Sequence, residues 1–249
     1  MLQSDALDIL KTGTNVFLTG SAGTGKTYVL NQYIQYLRER SVPLAITAST
    51  GIAATHINGQ TIHSWSGIGI RDTLSMHDIQ KIISKKNIRN TIRKAQVLII
   101  DEISMLSRNQ LDTINEIIQH ARDVMYPFGG MQVIFCGDFF QLPPIADRGT
   151  PSSDKYCFMS DAWRQADIRV CYLTKQYRQS DSELTSLLND IRSKKTGEHT
   201  RDMLESKMET KSDLYDDHTK LYTHNADVDQ INEEALQNLV DEEKVFHAE

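Results

Sequence analysis

The chain has few cysteines and no long apolar segment, and each absence excludes a class of protein. Cys136, Cys157 and Cys171 are an odd number without C-x-x-C spacing, so neither a disulfide framework nor a zinc cluster is indicated. No window approaches eighteen consecutive apolar residues, and the N-terminus lacks the basic-then-apolar order of a signal peptide. These absences predict a soluble protein of a reducing, intracellular compartment, without a membrane partner.

An overall excess of positive charge is also missing. The chain contains 27 Lys and Arg against 33 Asp and Glu, a net charge of −6, which gives no global electrostatic reason to expect a nucleic-acid partner. Basic residues are nonetheless concentrated at 81–94, which contains six Lys and Arg and no acid. Isoleucines recur there at helical spacing, which predicts an amphipathic helix with a solvated basic face. Local affinity for phosphates stays open.

Apolar, β-branched runs alternate with helical patterns over the first two thirds of the chain. The expected strands cover 15–20, 44–48, 97–102, 131–138 and 170–174. This alternation predicts an α/β fold, a parallel sheet with helices on both faces. Since the carboxyl ends of parallel strands meet at one edge of a sheet, polar residues that follow these strands predict a site there.

The character of the sequence changes after about residue 173. Helical patterns at 182–192 and 200–207 precede a polar span, a short apolar run at 220–223 interpreted as one strand, and a helix through 239. One strand and a few helices cannot bury a second sheet. We therefore predict one domain over 1–172 and the incomplete beginning of a second over 173–249, with a decorated C-terminal extension as the alternative.

A glycine-rich octet lies between the first expected strand and the following helix. The spacing G-x-x-x-x-G-K-[ST] in this setting is typical of a nucleotide-phosphate cradle, in which backbone N–H groups approach the phosphates. Lys26 would place its charge on the β and γ phosphates, and the Thr27 hydroxyl would bind Mg²⁺. A flexible glycine turn is the alternative. The octet consists of Gly20, Ser21, Ala22, Gly23, Thr24, Gly25, Lys26 and Thr27.

Three later segments place polar groups at the same expected edge. Asp101 would hold the metal, and Glu102 would orient and deprotonate an attacking water, although an acid pair at a helix N-terminus is the alternative. Gln141 could contact a water and a γ-phosphate oxygen, or lie in a loop made rigid by two prolines. Arg178 could reach the γ-phosphate, or be an ordinary surface residue.

A further group of residues suits contact with a nucleic-acid strand. Thr50 and Gly51 combine a hydroxyl, a glycine and an expected helix N-terminus, a good geometry for a phosphate. His63 and Trp65 offer an imidazole and an aromatic ring on which a base could stack. A tryptophan beside apolar residues is usually part of the core, so packing is the alternative for Trp65.

Five segments in series resemble one family. The chain resembles the PIF-one-like group of superfamily 1B DNA helicases over residues 3 to about 180, in the segments NVFLTGSAGTGKT, TASTGIAATHINGQTIHSW, VLIIDEISM, PFGGMQVIFCGDFFQLPPI and LTKQYRQ. Related P-loop enzymes of the RecD type share the cradle, the acid pair and a Gln-Leu-Pro-Pro-like element. They resemble this chain less well around TIHSW and PFGG.

The resemblance implies a RecA-like P-loop NTPase domain in which ATP hydrolysis drives 5′-to-3′ movement on single-stranded DNA and unwinding of duplexes or quadruplexes. It implies ATP and Mg²⁺ as cofactors, single-stranded DNA and duplex junctions as partners, a monomer, and roles in DNA repair, recombination and telomere maintenance. The expected location is the cytoplasm of a bacterium or of a virus's host cell, with the nucleus as the alternative.

The resemblance also implies roles for individual residues. It implies phosphate and Mg²⁺ binding by Lys26 and Thr27, metal and water roles for Asp101 and Glu102, and γ-phosphate contacts for Gln141 and Arg178. Gln3 would read the adenine base. Thr50, Gly51, His63 and Trp65 would lie in elements that touch the DNA strand.

One part of the family's pattern is missing from this sequence. The family requires a second RecA-like domain with a later arginine motif and a DNA-clamping element, and nothing after residue 220 supplies either. We therefore expect the chain to be an N-terminal part of a longer helicase, which binds nucleotide and unwinds poorly. The alternative is a nucleotide-dependent DNA-binding module or switch without unwinding activity.

Overall fold

A parallel sheet forms the centre of the computed structural model, which describes residues 1–145, 151, 155–177, 182–208 and 221–238. In these residues the sheet has six strands in the order β3-β2-β4-β5-β1-β6, and every neighbouring pair is parallel. The α/β fold with a parallel sheet is therefore confirmed. The strands are β1 Val16–Gly20, β2 Leu44–Ala48, β3 Gln60–Thr61, β4 Val97–Asp101, β5 Gln132–Cys136 and β6 Arg169–Leu173.

All five strands expected from the sequence are present, with ends that shift by up to two residues. The sixth, β3, was not predicted because two residues are too short to show a period. It pairs only with β2, at one edge of the sheet.

Helices connect the strands, and several begin at a hydroxyl residue that accepts from the backbone of the first turn, as Ser107 does before the longest of them. The helices are α1 Gln3–Lys11, α2 Lys26–Glu39, α3 Gly51–His56, α4 Ile62–Ser66, α5 Met76–Ile83, α6 Lys86–Lys94, α7 Arg108–Arg122, α8 Asp161–Gln165, α9 Ser182–Ser193, α10 Glu198–Met208 and α11 Asn225–Gln237. Short 3-10 turns cover Ile103–Met105, Pro127–Gly130 and Cys157–Met159.

The core has two layers, one on each face of the sheet. Side chains alternate along a strand, so Ile99 packs with Leu30 and other residues of α1 and α2, whereas Ile100 packs with Ile114 and other residues of α4 to α8. Full burial of one such side chain contributes about 1.5–3 kcal/mol. The central strands are apolar on both sides for this reason, and the prediction of helices on both faces is confirmed.

The basic segment at 81–94 departs from its prediction as a single helix. The chain leaves helical geometry at Lys85, which is extended, so α5 and α6 are separate helices. Ile79, Ile82 and Ile92 are nevertheless buried while the lysines face solvent. The amphipathic pattern was right, but the break was not visible in the spacing of the isoleucines.

The chain divides into two compact units, Met1–Arg192 and Ser193–Glu249. The described part of the second unit contains α10 and α11. The strand expected at 220–223 is a correction: residues 221–223 form no strand, since an exposed run without a hydrogen-bonded neighbour cannot join a sheet, and residue 220 lies outside the described part. None of the described helices has the length and apolar character needed to span a bilayer.

Candidate active site

The glycine-rich octet forms the turn between β1 and α2. Gly20 has φ +150°, and a Cβ there would lie 2.6 Å from the Leu173 carbonyl oxygen of β6. Gly25 has φ +82° and immediately precedes α2, in a left-handed conformation that L side chains avoid. The glycines therefore let the loop pass close to β6 and end at the helix N-terminus, whose unpaired N–H groups favour an anion.

Lys26 lies inside this loop. Its Nζ donates to the carbonyl oxygens of Gly20 at 2.9 Å and Ser21 at 3.2 Å. The Thr24 hydroxyl also donates to Ser21 O, at 2.9 Å. The loop thus holds its own ammonium group at the helix N-terminus, where the β and γ phosphates of a nucleotide would meet it.

Asp101 is the last residue of β4 and is 6% exposed. Burial raises the pKa of its carboxyl group, and a hydrogen bond from the Cys136 thiol, one from the Glu102 backbone N–H and the charge of Lys26 oppose that shift. The Glu102 N–H lies 2.9 Å from Asp101 Oδ1. The Asp101 carboxylate is therefore held by hydrogen bonds from Cys136 of β5 and from the backbone of its own turn.

Glu102 follows in a left-handed conformation, φ 51° and ψ 42°, which costs about 1–3 kcal/mol for a residue other than glycine. Its carbonyl oxygen accepts from Ser49 Oγ at 2.8 Å. Burial raises the pKa of the Glu102 carboxyl group, the charge of Asp101 raises it further, and Lys26 lowers it. A raised pKa in a carboxylate beside the phosphate loop suits a general base.

Gln141 is fixed by the first residue of its own turn, Asp138. Its backbone N–H donates to Asp138 O at 2.9 Å, and its Nε2 donates to Asp138 Oδ2 at 3.0 Å. Arg192 of α9 binds the same carboxylate with both terminal nitrogens, at 2.5 and 2.8 Å. Burial would raise the pKa of Asp138, but the hydrogen bonds from Arg192 and Gln141 hold it below its ordinary value.

Arg192 was not found from the sequence, because a single arginine on an amphipathic helix carries no local signal. We expect its truncation to be costly: the Asp138 side chain is 1% exposed, and the loss of one partner of a buried ion pair leaves the other charge uncompensated. The Arg192→Leu variant should lose about 3–5 kcal/mol of unfolding free energy. Urea titration by tryptophan fluorescence measures this, since both tryptophans, Trp65 and Trp163, belong to the same unit as Asp138.

The matched control is the Asp138→Asn/Arg192→Leu double variant. Since it removes both charges, it should recover part of the loss, and the double-mutant cycle isolates the pair. A stability of Arg192→Leu within about 0.5 kcal/mol of the unchanged protein, typical of surface substitutions, would show that the pair contributes little.

A cavity of about 280 Å³ brings together the predicted residues Lys26, Thr27, Glu102 and Gln141, but among the described residues Asp101 does not line this cavity. It joins three segments that are far apart in sequence: the phosphate loop, the turn after β4 and the turn after β5. Its lining consists of Ala22, Gly23, Gly25, Lys26, Thr27, Tyr28, Glu102 and Gln141. Tyr28 was not predicted from the sequence, in which the only available signal was its position after Thr27.

Gln3 lies next to this cavity. Its Nε2 donates to Thr24 O at 3.0 Å, and together with Tyr28 it lines a second cavity of about 250 Å³. Tyr28 is 58% exposed and borders both cavities. A planar group could therefore lie beside Gln3 and Tyr28 while phosphates occupy the loop.

Arg178 lies outside the described residues, and its role stays a prediction. The two residues before it cross the phosphate loop: Gln176 Nε2 donates to Ala22 O at 2.7 Å, and the Tyr177 N–H donates to Gly23 O at 2.9 Å.

The candidate DNA contacts fall into two groups. The Thr50 hydroxyl caps α3 by accepting from Ala53 N, Gly51 is exposed, and His63 of α4 is half-buried, where burial lowers its pKa and Asp72 opposes that shift. Trp65 needs a correction, because it is 3% exposed inside the core and presents no free ring face to a base. Packing, the alternative from the sequence, describes its position.

The donor set at the cavity suits Mg²⁺ better than a metal held by protein alone. Among the described residues, no group of three or more His, Cys, Asp or Glu side chains could hold a metal. Mg²⁺ characteristically takes one or two protein oxygens together with phosphates and waters. The Thr27 hydroxyl and the Asp101 carboxylate are protein oxygens of this kind.

The sequence model of PIF1-like helicases matches residues 5–206. The chain belongs to the PIF1-like helicase family. The resemblance seen in the five sequence segments is thereby confirmed, and the P-loop and acid pair lie within the matched range.

Individual PIF1-like relatives agree. The ATP-dependent DNA helicase Pif1 of Psychrobacter sp. (strain PRwf-1) is 50% identical over 255 residues, which cover 100% of this chain and 38% of that protein. The crystal structure of Pif1 helicase from Candida albicans has a TM-score of 0.81 and 34% identity, covering 95% of this chain and 54% of that one. The Bacteroides Pif1 in complex with ADP-AlF3 and ssDNA has a TM-score of 0.74 and 30% identity, covering 97% and 58%. The chain thus spans little more than a third of one relative and just over half of the other two.

Proposed function

We propose that this chain is the ATP-binding motor portion of an ATP-dependent DNA helicase that moves 5′-to-3′ on single-stranded DNA. The observation that carries the proposal is the cavity shared by Lys26, Thr27, Glu102 and Gln141. It supplies a phosphate cradle, a base and an amide around one cavity, as phosphoryl transfer to water requires. The helicase names of the relatives support the coupling to DNA.

The residues divide the chemistry as follows. Lys26 and the N–H groups at the start of α2 bind the β and γ phosphates of ATP. The Thr27 hydroxyl and Asp101 would hold Mg²⁺, which neutralises charge on the phosphates when bound. Glu102 accepts a proton from the attacking water, and Gln141 orients that water against the γ-phosphate.

The coupling to DNA follows from the turn before α3. The Ser49 N–H donates to Asp101 O at 3.0 Å, and its hydroxyl donates to Glu102 O. Thr50 and Gly51, the candidate strand contacts, are the next two residues. A DNA strand held by Thr50 and Gly51 at the start of α3 would therefore lie one or two residues from Ser49, which binds the backbone of both acids. We further propose that a second domain begins within residues 173–249, after the first compact unit, which ends at Arg192. The monomeric state stays a prediction.

Single-stranded DNA should raise the rate of ATP hydrolysis by the full-length protein. Steady-state phosphate release with and without an oligo(dT) strand measures this, and the Glu102→Gln variant controls for contaminating ATPases. Hydrolysis that is insensitive to the strand would contradict a motor. Nucleotide-dependent DNA binding without such stimulation would instead support a binding module or switch.

A further inference from the structure

Four exposed lysines form a basic patch on α5, α6 and the residue between them: Lys81, Lys85, Lys86 and Lys94. Among the described residues, none of their ammonium groups has an ion pair or hydrogen bond. Isoleucines on the opposite sides of both helices pack in the core, and this packing fixes the positions of the helices that carry the lysines. Arg89 and Arg93 lie beside it and share one acid, Asp123.

The charge of this surface contrasts with that of the whole protein. Residues 76–95 contain six Lys and Arg and one acid, Asp78, whereas the chain as a whole has a net charge of −6. Like charges so close together repel each other when nothing compensates them. A polyanion compensates them, and counterion release from its phosphates supplies the free energy of binding.

The composition of the patch favours duplex over single-stranded nucleic acid. Sites for single strands combine basic residues with aromatic rings on which bases stack. Residues 76–95 contain no Phe, Tyr or Trp. Lysines without a stacking surface contact phosphates alone, which is how proteins hold the backbone of a duplex.

The position of the patch connects it to the candidate strand contacts. Helix α4, which carries His63, ends at Gly67, where a Cβ would lie 2.9 Å from side-chain atoms of both Ile82 and Ile88. The end of α4 therefore packs against the isoleucine sides of the two helices whose opposite sides carry the lysines. A duplex that continues from a strand bound along α3 and α4 therefore has to extend past these helices by about one helix diameter, ~10 Å, to reach the lysines.

From these observations we propose that the basic patch binds the phosphate backbone of duplex DNA adjoining the single strand held at α3 and α4. This surface extends the proposed function and rests on it. Its contribution is independent of base sequence, since the lysines reach phosphates and not base edges. The patch holds the duplex and takes no part in hydrolysis.

The test removes three of the four charges in Lys85→Ala/Lys86→Ala/Lys94→Ala. The control, Arg38→Ala/Arg164→Ala/Arg169→Ala, removes the same charge from exposed positions outside the patch. Fluorescence anisotropy without nucleotide measures affinity for a blunt DNA hairpin and for oligo(dT) over a series of salt concentrations. Circular dichroism verifies that both variants are folded.

The lysine variant should bind the hairpin about tenfold more weakly at low salt, with a salt slope reduced by about 0.9 per lysine removed. Binding of oligo(dT), and of the hairpin by the control variant, should change less than about twofold, within the effect of net charge alone. An unchanged hairpin affinity, an equal loss in the control, or an equal loss for oligo(dT) would each overturn the proposal. The binding measurement needs no nucleotide. It therefore tests DNA binding by the patch even if single-stranded DNA does not stimulate ATP hydrolysis.

Discussion

The Lys26→Ala variant should lose ATP hydrolysis. Among the residues that the structure describes, Lys26 is the only lysine lining the cavity, and its ammonium is held by the Gly20 and Ser21 carbonyls at the helix N-terminus. Removal of one preorganised charge that faces the developing negative charge of the transition state typically lowers turnover about 10²–10³-fold. Binding of Mg-ATP should weaken as well, because the same ammonium contacts the β and γ phosphates in the ground state. Isothermal titration calorimetry and phosphate release measure the two effects.

Lys11→Ala is the matched control for this prediction. Lys11 lies at the end of α1, pairs with Asp8 and lines neither of the cavities at the phosphate loop. It should leave both nucleotide affinity and turnover unchanged. If Lys26→Ala retained turnover, the result would contradict phosphate binding by the loop, whether or not DNA stimulates hydrolysis.

The Glu102→Gln variant should separate binding from chemistry. The amide keeps the size and hydrogen-bonding capacity of the side chain but cannot accept a proton from water, so Mg-ATP affinity should persist while turnover falls about 10²–10⁴-fold. Glu116→Gln, an exposed position on α7, is the control and should retain full activity. Single-turnover hydrolysis and calorimetry measure the difference. Loss of binding together with turnover would assign Glu102 to nucleotide affinity.

The pH profile provides a second measurement of Glu102. A general base works in its deprotonated form, and burial raises the pKa of Glu102. Activity should therefore be lost, as the pH falls, at a higher pH than an ordinary carboxyl group with a pKa of about 4.3 would give. The acidic limb should be absent from the residual activity of Glu102→Gln. Its persistence in that variant would identify another group as the base.

Local patterns predicted most of the fold. Runs such as 97–102 are apolar on both faces because the strands are covered on both sides, so their composition alone indicated a parallel sheet. The helix break at Lys85 was missed because isoleucines on two helices can mimic the period of one. The strand predicted at 220–223 was wrong over the described residues 221–223, since an apolar run forms a strand only where a neighbouring strand can pair with it.

The candidate site was also largely predictable, residue by residue. The octet Gly20 to Thr27 was predicted from its spacing, whereas the roles of Glu102 and Gln141 were predicted from their positions after strands together with the family resemblance. The cavity gathers most of these residues. Trp65 shows the limit of such reasoning. Its apolar neighbours in the sequence favoured packing, the resemblance implied contact with the DNA strand, and the structure buries the ring.

The amino-acid sequence by itself determined the phosphate loop, the acid pair and the positions of the five long strands along the chain. Each of these features depends on residues within a few positions of one another. Only the tertiary structure decided which distant groups meet: Arg192 with Asp138, Gln3 with Thr24, and the isoleucines of α5 and α6 with the end of α4. These contacts join positions up to 54 residues apart. Packing of the helices against the sheet sets them, and no local period records that packing.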